Sequence, residues 1–189
     1  MKEDYAIVLD YLPNGYASAF KKESLAQAIG TQMFTLLELV PKPECKLLPK
    51  EKVYIGQDKR EKVQYIKGRI EYNKLTATAK NELNIVLEEI IQEQEPHFVE
   101  FFNKAGSISV RQHSLELLPG IGKKHMWDIL AQREKKPFAN FADIAERVKL
   151  MPNPKKVVMD RIIDELSSDS KYYLFAKPMP KERGPGGRY

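Results

Sequence analysis

The chain has 189 residues, of which 42% are hydrophobic and 30% charged, a composition typical of a globular protein with one medium domain or two small ones. The sequence has no long apolar run and no charged-then-apolar leader, so we expect a soluble intracellular protein that does not bind membranes. The single cysteine, Cys45, excludes an internal disulfide and a cysteine zinc cage, and the three histidines are too widely spaced for a local metal motif. We therefore expect no metal and no cofactor.

The net charge of +5 is distributed unevenly. Residues 1–105 carry 15 basic and 16 acidic side chains, whereas residues 106–189 carry 16 and 10. A basic half predicts an anionic partner, and nucleic acid is the commonest partner of that kind. A solvated basic surface without a partner explains the charge equally well.

The N-terminal third has the pattern of β-strands. Pro13 to Gly15 is a turn signal, and a short helix is predicted for Ser24–Ile29. The last apolar run changes phase near Gly68, which predicts a bulge and a small, strongly curved barrel. The predicted strands are Tyr5–Tyr11, Met33–Val40, Lys52–Ile55 and Val63–Tyr72.

Helices are predicted beyond residue 75. Thr76 is a candidate N-cap for a helix with a clean apolar stripe between Leu83 and Ile91, and Pro96 suits the first turn of the next helix. From about Ile108 the pattern predicts a series of short helices. The residues from Pro178 onward include three prolines and three glycines, and we expect a mobile tail there.

The most informative stretch is Leu-Leu-Pro-Gly-Ile-Gly-Lys-Lys-His at residues 117–125. We expect a helix to end at Leu118, because Pro119 cannot continue it. The two glycines, Gly120 and Gly122, permit a tight turn, and Ile121 between them should anchor the turn in the core. A second helix should begin near Gly122.

Such a turn places free backbone N–H groups at a helix N-terminus, where they can bind a phosphate. Lys123 and Lys124 add positive charge beside them. The combination of prolines, glycines and lysines between two helices resembles the helix-hairpin-helix nucleic-acid-binding motif. An ordinary tight turn between two core helices is the alternative.

A degenerate copy follows at residues 150–156, with the sequence Leu-Met-Pro-Asn-Pro-Lys-Lys. In it, Pro152 corresponds to Pro119, Asn153 and Pro154 replace the glycines, and Lys155 with Lys156 repeats the lysine pair. The pair of turns resembles the tandem helix-hairpin-helix domain, in which two turns contact the phosphates of one duplex. Without glycines the second turn should bind phosphate less well, and its lysines are equally explained as a solvated helix start.

The barrel half also mixes aromatic and basic side chains, as proteins that bind single strands do. We expect Tyr54 and Tyr72 to be core residues. Arg60, Lys67 and Arg69 are the candidate surface contacts to nucleic acid.

Beyond the hairpin, the chain resembles a small family of uncharacterised archaeal proteins described as RNA- or DNA-binding, over roughly residues 4–177. The resemblance implies an α+β multidomain fold and a cytoplasmic location, but no enzymatic reaction. Residues 1–75 would form an OB-fold-like β-barrel, 76–106 connecting helices, 107–177 an all-α tandem helix-hairpin-helix domain, and 178–189 the tail. The matching stretches are Val53–Gly56 with Arg60 and Val63, Ile66–Tyr72, Phe98–Ala105, Leu115–Trp127 and Lys171–Phe175.

Three functions compete on these grounds. The leading hypothesis is a non-enzymatic nucleic-acid-binding protein that grips phosphates independently of sequence, with RNA slightly favoured over DNA. The alternative is a protein-interaction module that docks on a ribosome or on transcription components. A DNA glycosylase-like enzyme is the third, because Lys124 and Asp143 have the spacing of a lysine and aspartate pair in some glycosylases.

Overall fold

The computed structural model describes residues 3–17 and 22–179, and the chain folds there as a mixed α+β protein. The predicted mobile tail falls outside the described residues from residue 180 onward. None of the described helices is long and apolar enough to cross a membrane.

Five antiparallel strands form one sheet in the order β4-β1-β2-β3-β5, and this sheet curls into a half-barrel. The strands β4, β1, β2 and β3 thus have the spatial order of a Greek key. The strands of the sheet are β1 Tyr5–Leu12, β2 Leu25–Gly30, β3 Leu36–Pro41, β4 Lys52–Tyr54 and β5 Val63–Arg69.

The strong curvature expected for this half is present, and β4 and β5 are the two edges of the described sheet, while the OB-fold-like barrel stays a prediction. The short helix predicted for Ser24–Ile29 is wrong. Its leucine and alanine residues favour a helix, but Leu25–Gly30 lies between β1 and β3 with all six residues buried. Pairing on both sides outweighs the local preference.

The bulge predicted near Gly68 is confirmed. Glu38 pairs with Gly68, and the next residue of β3, Leu39, pairs with Ile66, so Lys67 is the extra residue of β5. A bulge of this kind bends its strand and increases the local twist, which helps the sheet to curl.

Between residues 76 and 179, the helical half contains five α-helices and a small β-hairpin. The hairpin corrects the all-α prediction for residues 107–177, and its strands are β6 Ser107–Ser109 and β7 Gln112–His113. The helices are α1 Ala77–Glu93, α2 Glu95–Lys104, α3 Lys123–Lys135, α4 Phe141–Arg147 and α5 Pro154–Ser167. The Thr76 cap is confirmed, because its side chain accepts a hydrogen bond from the N–H of Ala79.

A polar cluster attaches the sheet to the start of α1. Gln27, fully buried, donates to the Tyr16 hydroxyl at 2.7 Å and accepts from the N–H of Thr76 at 2.9 Å. Tyr16 in turn donates to Glu38 at 2.5 Å. Burial first, and then this hydrogen bond to a carboxylate, raises the pKa of Tyr16 to about 12, so its hydroxyl stays protonated.

One face of the sheet and the helices share a single apolar core. Ile7, Leu9 and Ile29 of the sheet belong to the same buried cluster as Leu87 of α1 and Ile162 of α5. A second cluster fills the half-barrel itself. The domain boundaries at residues 75 and 106 stay predictions, and the shared core joins the segments on both sides of them.

A C-terminal strap, residues 171–177, ties α5 to the sheet. Glu165 of α5 has no exposed side-chain surface and pairs with Arg161 at 2.8 Å. Its carboxylate also accepts hydrogen bonds from the backbone N–H groups of Leu174, Phe175 and Ala176. At the end of the strap, the N–H of Lys177 donates to the carbonyl of Met33 at 2.9 Å.

Candidate nucleic-acid interface

The chain enters the predicted turn through a short 3-10 helix, Ser114–Leu117, rather than through the expected full helix. The imidazole of His113 caps this segment, because its Nδ1 accepts from the N–H of Leu115 at 3.1 Å. Burial first, and then the charge of Arg133, lowers the pKa of His113, so the neutral imidazole is the form that caps. A 3-10 helix of only four residues is stable here because the His113 side chain accepts a hydrogen bond from a backbone N–H at its start.

The turn itself runs from Leu118 to Ile121 and has the geometry of a type II β-turn. The N–H of Ile121 donates to the carbonyl of Leu118 at 3.0 Å, and Gly120 in the third position has φ of +78°. Pro119 and Gly120 are the residues that this turn type favours in its two central positions. Ile121 is 4% exposed and anchors the turn, as predicted.

Helix α3 starts directly after the turn with Gly122 as its N-cap, and no side chain caps it. A Cβ atom added to Gly122 would meet no heavy atom within 4 Å, so this position faces open space. Across residues 3–17 and 22–179, no hydrogen bond engages the backbone N–H groups of Gly122, Lys123 and Lys124. These groups lie at the positive end of the helix dipole.

Lys123 and Lys124 are exposed, and neither forms an ion pair with another residue in the part of the chain that the structure describes. Two free ammonium groups therefore lie beside the unengaged amides. An anion bound here would meet N–H donors and two full positive charges together.

A second turn of the same kind lies at residues 148–151. The N–H of Met151 donates to the carbonyl of Val148 at 3.4 Å, and Leu150 in the third position has φ of +62°. Leu150 thus takes the position of Gly120, with a left-handed conformation that costs a leucine roughly 1–2 kcal/mol. The predicted register, which matched Pro152 to Pro119, is wrong by three residues.

Pro152, the residue that follows the second turn, packs close to Gly120 of the first turn. A Cβ atom on Gly120 would lie 3.1 Å from Cγ of Pro152, a contact closer than ordinary packing. Glycine is therefore favoured at residue 120 by its positive φ, and a Cβ atom there would also require Pro152 to shift by a few tenths of an ångström.

The start of α5, after the second turn, has fewer free N–H groups than the start of α3: among the described residues no hydrogen bond engages the N–H groups of Asn153 and Lys155. Asn153 caps α5 by accepting from the N–H of Lys156 at 3.2 Å, and Pro154 has no N–H. Lys155 contacts Glu88 and Gln92 at 3.1 Å, and Lys156 pairs with Asp160 at 2.9 Å. These contacts within the chain satisfy both predicted lysines.

Trp127 is a candidate residue that the sequence analysis did not single out. It is 64% exposed on α3, on the opposite side of the helix from the buried Met126 and Ile129. It follows Lys123 by four residues and Lys124 by three, and residues at these spacings are neighbours on a helix surface. That spacing is the signal that could have identified it.

Three residues of the barrel half were predicted to contact nucleic acid, and the structure places two of them in the same cleft. Arg60 and Arg69 line one cleft of about 760 Å³ at the open side of the half-barrel, next to Tyr5, Tyr54 and Lys177. Arg60 donates to the carbonyl of Gly56 at 3.0 Å, and Arg69 donates to that of Pro178 at 2.9 Å.

Lys67 is not part of the cleft lining. As the bulged residue of β5 it lies 3.8 Å from Glu38 and over the ring of Tyr16. The three predicted residues therefore do not form one surface: Arg60 and Arg69 line the cleft, and Lys67 lies outside its lining.

Asp143 takes part in local structure. Its carboxylate accepts from the N–H of Ala139 at 2.9 Å and pairs with Arg147 at 3.0 Å. The hydrogen bond from Ala139 is the main cause that lowers the pKa of Asp143. Asn140 caps α4 by accepting from the N–H of Asp143 at 2.8 Å, so Asp143 is a residue of the first helical turn.

The model of the family described as "Protein of unknown function (DUF655)" matches residues 2–177. MJ0038, an uncharacterized protein of Methanocaldococcus jannaschii, is 46% identical over 177 residues, which cover 93% of this chain and 80% of that protein. The crystal structure of Af1531 from Archaeoglobus fulgidus, also assigned to DUF655, is similar with a TM-score of 0.85 and 46% identity, over 93% of this chain and all of that one. Both relatives come from archaea. The chain therefore belongs to the DUF655 family.

Proposed function

We propose that this chain is a non-enzymatic nucleic-acid-binding protein that holds the phosphate backbone at its first turn, residues 118–124. The observation that carries the proposal is the start of α3. Unengaged N–H groups lie there beside two lysines that have no ion-pair partner among the described residues. After the second turn, by contrast, Asn153 caps the N–H of Lys156, Pro154 has no N–H, and both lysine side chains have acidic partners.

In this proposal the two turns form a tandem helix-hairpin-helix unit of which only the first turn binds. Both turns have the same hydrogen bond and the same left-handed third residue, and Pro152, which follows the second turn, lies close to Gly120 of the first. The second turn then serves as packing support for the first. Its lysines, Lys155 and Lys156, are not contacts in this version of the proposal.

The ligand class follows from the kind of groups present. N–H donors and ammonium groups recognise phosphates rather than base edges, so binding is independent of sequence and weakens steeply with salt. In this proposal the cleft with Arg60 and Arg69, which acidic residues also line, is a second contact surface on the open side of the half-barrel, as in an OB-fold-like module. Such modules suit single strands, and RNA is the favoured ligand.

Replacing Gly122 with asparagine tests this proposal. Gly122 has φ of −90° and open space around it, so asparagine fits and can cap α3 as Asn153 caps α5. We expect Gly122→Asn to stabilise the fold by about a few tenths of a kcal/mol in urea unfolding, because asparagine is the slightly better N-cap. Affinity for a single-stranded RNA should fall in the same variant, because the new side chain fills the open space beside the amides of Gly122, Lys123 and Lys124 and, placed as Asn153 is, accepts from the N–H three residues on.

The variant keeps the net charge, so a loss of affinity reports on the amides and not on long-range electrostatics. A Gly122→Asn protein that gains stability and binds RNA as tightly as the wild type would contradict the proposal.

A further inference from the structure

The exposure of Trp127 needs an explanation. Aromatic side chains bury 150–250 Å² in typical cores, and leaving such a surface in water forgoes much of their stabilising effect. Trp127 is 64% exposed, although the same helix buries Met126 and Ile129 almost completely. It is also the chain's single tryptophan.

The neighbours of Trp127 decide what could cover it. Its Cβ atom lies one helical turn from those of Lys123 and Lys124, about 5–6 Å away in helix geometry. Both lysines lack an ion-pair partner within residues 3–17 and 22–179. An apolar protein surface laid on Trp127 would leave two cations without compensation, which is costly in a desolvated interface.

A nucleotide combines the two complementary features in one molecule. Its base offers a flat π-face for the indole, and its phosphate offers the negative charge for the ammonium groups. Both faces of a base are covered by its neighbours inside a regular duplex, whereas an unpaired base has a free face.

We propose that Trp127 stacks on an unpaired base whose flanking phosphates lie on Lys123 and Lys124. The inference rests on the proposed function and narrows its ligand to nucleic acid that contains single-stranded nucleotides. Uniform duplex then binds only through its phosphates.

The single tryptophan makes the experiment direct. The full chain is titrated with a uridine homopolymer of about 12 nucleotides and with a GC-rich duplex RNA of equal length, at low salt. The emission of Trp127 should be quenched by the homopolymer and little changed by the duplex. In fluorescence anisotropy with labelled RNA, Trp127→Ala should lose about 5- to 150-fold in affinity for the homopolymer, the range expected for one stacked base.

Two comparisons complete the test. Affinity of Trp127→Ala for the duplex should stay within about twofold of the wild type, and Trp127→Phe should restore most of the affinity for the homopolymer because a phenyl ring also stacks. Thermal unfolding of both variants confirms that this exposed site leaves the fold intact.

Equal binding of the homopolymer by wild type and Trp127→Ala would overturn the stacking proposal. Equal quenching by duplex would overturn it too, and a change of emission with protein concentration alone would assign the ring to contact with a second copy of the chain. If binding survives replacement of Lys123 and Lys124 with glutamine but is lost in Trp127→Ala, the proposed phosphate site is wrong and the stacking proposal holds. If binding is lost in the lysine variant but survives in Trp127→Ala, only the stacking proposal is wrong.

Discussion

Replacing Glu165 with alanine should lower the free energy of unfolding by about 3–5 kcal/mol, the cost of leaving one member of a buried ion pair alone. The carboxylate is fully buried, pairs with Arg161 at 2.8 Å, and accepts three backbone N–H groups of the C-terminal strap. The variant therefore leaves one cation and three donors unsatisfied. Since small domains are typically stable by only about 5–15 kcal/mol, urea unfolding should show a large shift.

The same helix offers a matched control. Lys156 and Asp160 form an ion pair of the same i,i+4 spacing on α5, but their side chains are 65% and 36% exposed. Asp160→Ala should cost less than about 1 kcal/mol, because exposed pairs contribute little. Equal effects of the two variants would mean that the strap does not depend on Glu165.

Replacing Lys123 and Lys124 together with glutamine should weaken binding to single-stranded RNA by about 60-fold at roughly 50 mM salt. Each phosphate contact on a single strand contributes about 0.7 to the slope of log affinity against log salt. Loss of two contacts should therefore lower that slope by about 1.4. A salt series measured by fluorescence anisotropy gives the affinity and the slope together.

The second turn again supplies the control. Lys155→Gln with Lys156→Gln removes the same two charges from the start of the helix that follows the second turn, so general electrostatic attraction changes equally in both double variants. Lys155 and Lys156 already contact Glu88, Gln92 and Asp160, so this pair should change affinity less than about threefold, with nearly the same slope. Similar losses in both double variants would indicate diffuse attraction to a basic half rather than a site.

The first turn was predictable because local chemistry determines it. Proline and glycine have strong conformational preferences, so the turn, the buried Ile121 and the start of α3 follow from neighbours in sequence. The Thr76 cap and the bulge near Gly68 depend on similarly local signals, and both predictions are confirmed.

Features decided by distant contacts were not predictable from local patterns. Leu25–Gly30 has the residues of a helix and becomes a strand because two strands enclose it. The register of the second turn was wrong because Leu150 adopts a left-handed conformation that sequence patterns assign to glycine.

Whether a lysine side chain has an ion-pair partner also depends on tertiary contacts. Lys155 and Lys156 look identical to Lys123 and Lys124 in sequence, and only the fold brings Glu88 of α1 within 3.1 Å of Lys155. Likewise, the curl of the sheet places Arg60 and Arg69 in one cleft and Lys67 outside its lining. Pattern alone therefore indicates candidate residues but not which of them are free to bind.

The central claim is that the amides at the start of α3 bind phosphate, and the amide NMR signals of these residues test it most directly. In a titration of the labelled full chain with a single-stranded RNA, the account predicts that the largest shifts occur at Gly120, Gly122, Lys123 and Lys124. Signals of residues 148–156 should move much less. Unchanged signals at residues 120–124 while RNA binds elsewhere, for example at the cleft with Arg60 and Arg69, would contradict the account.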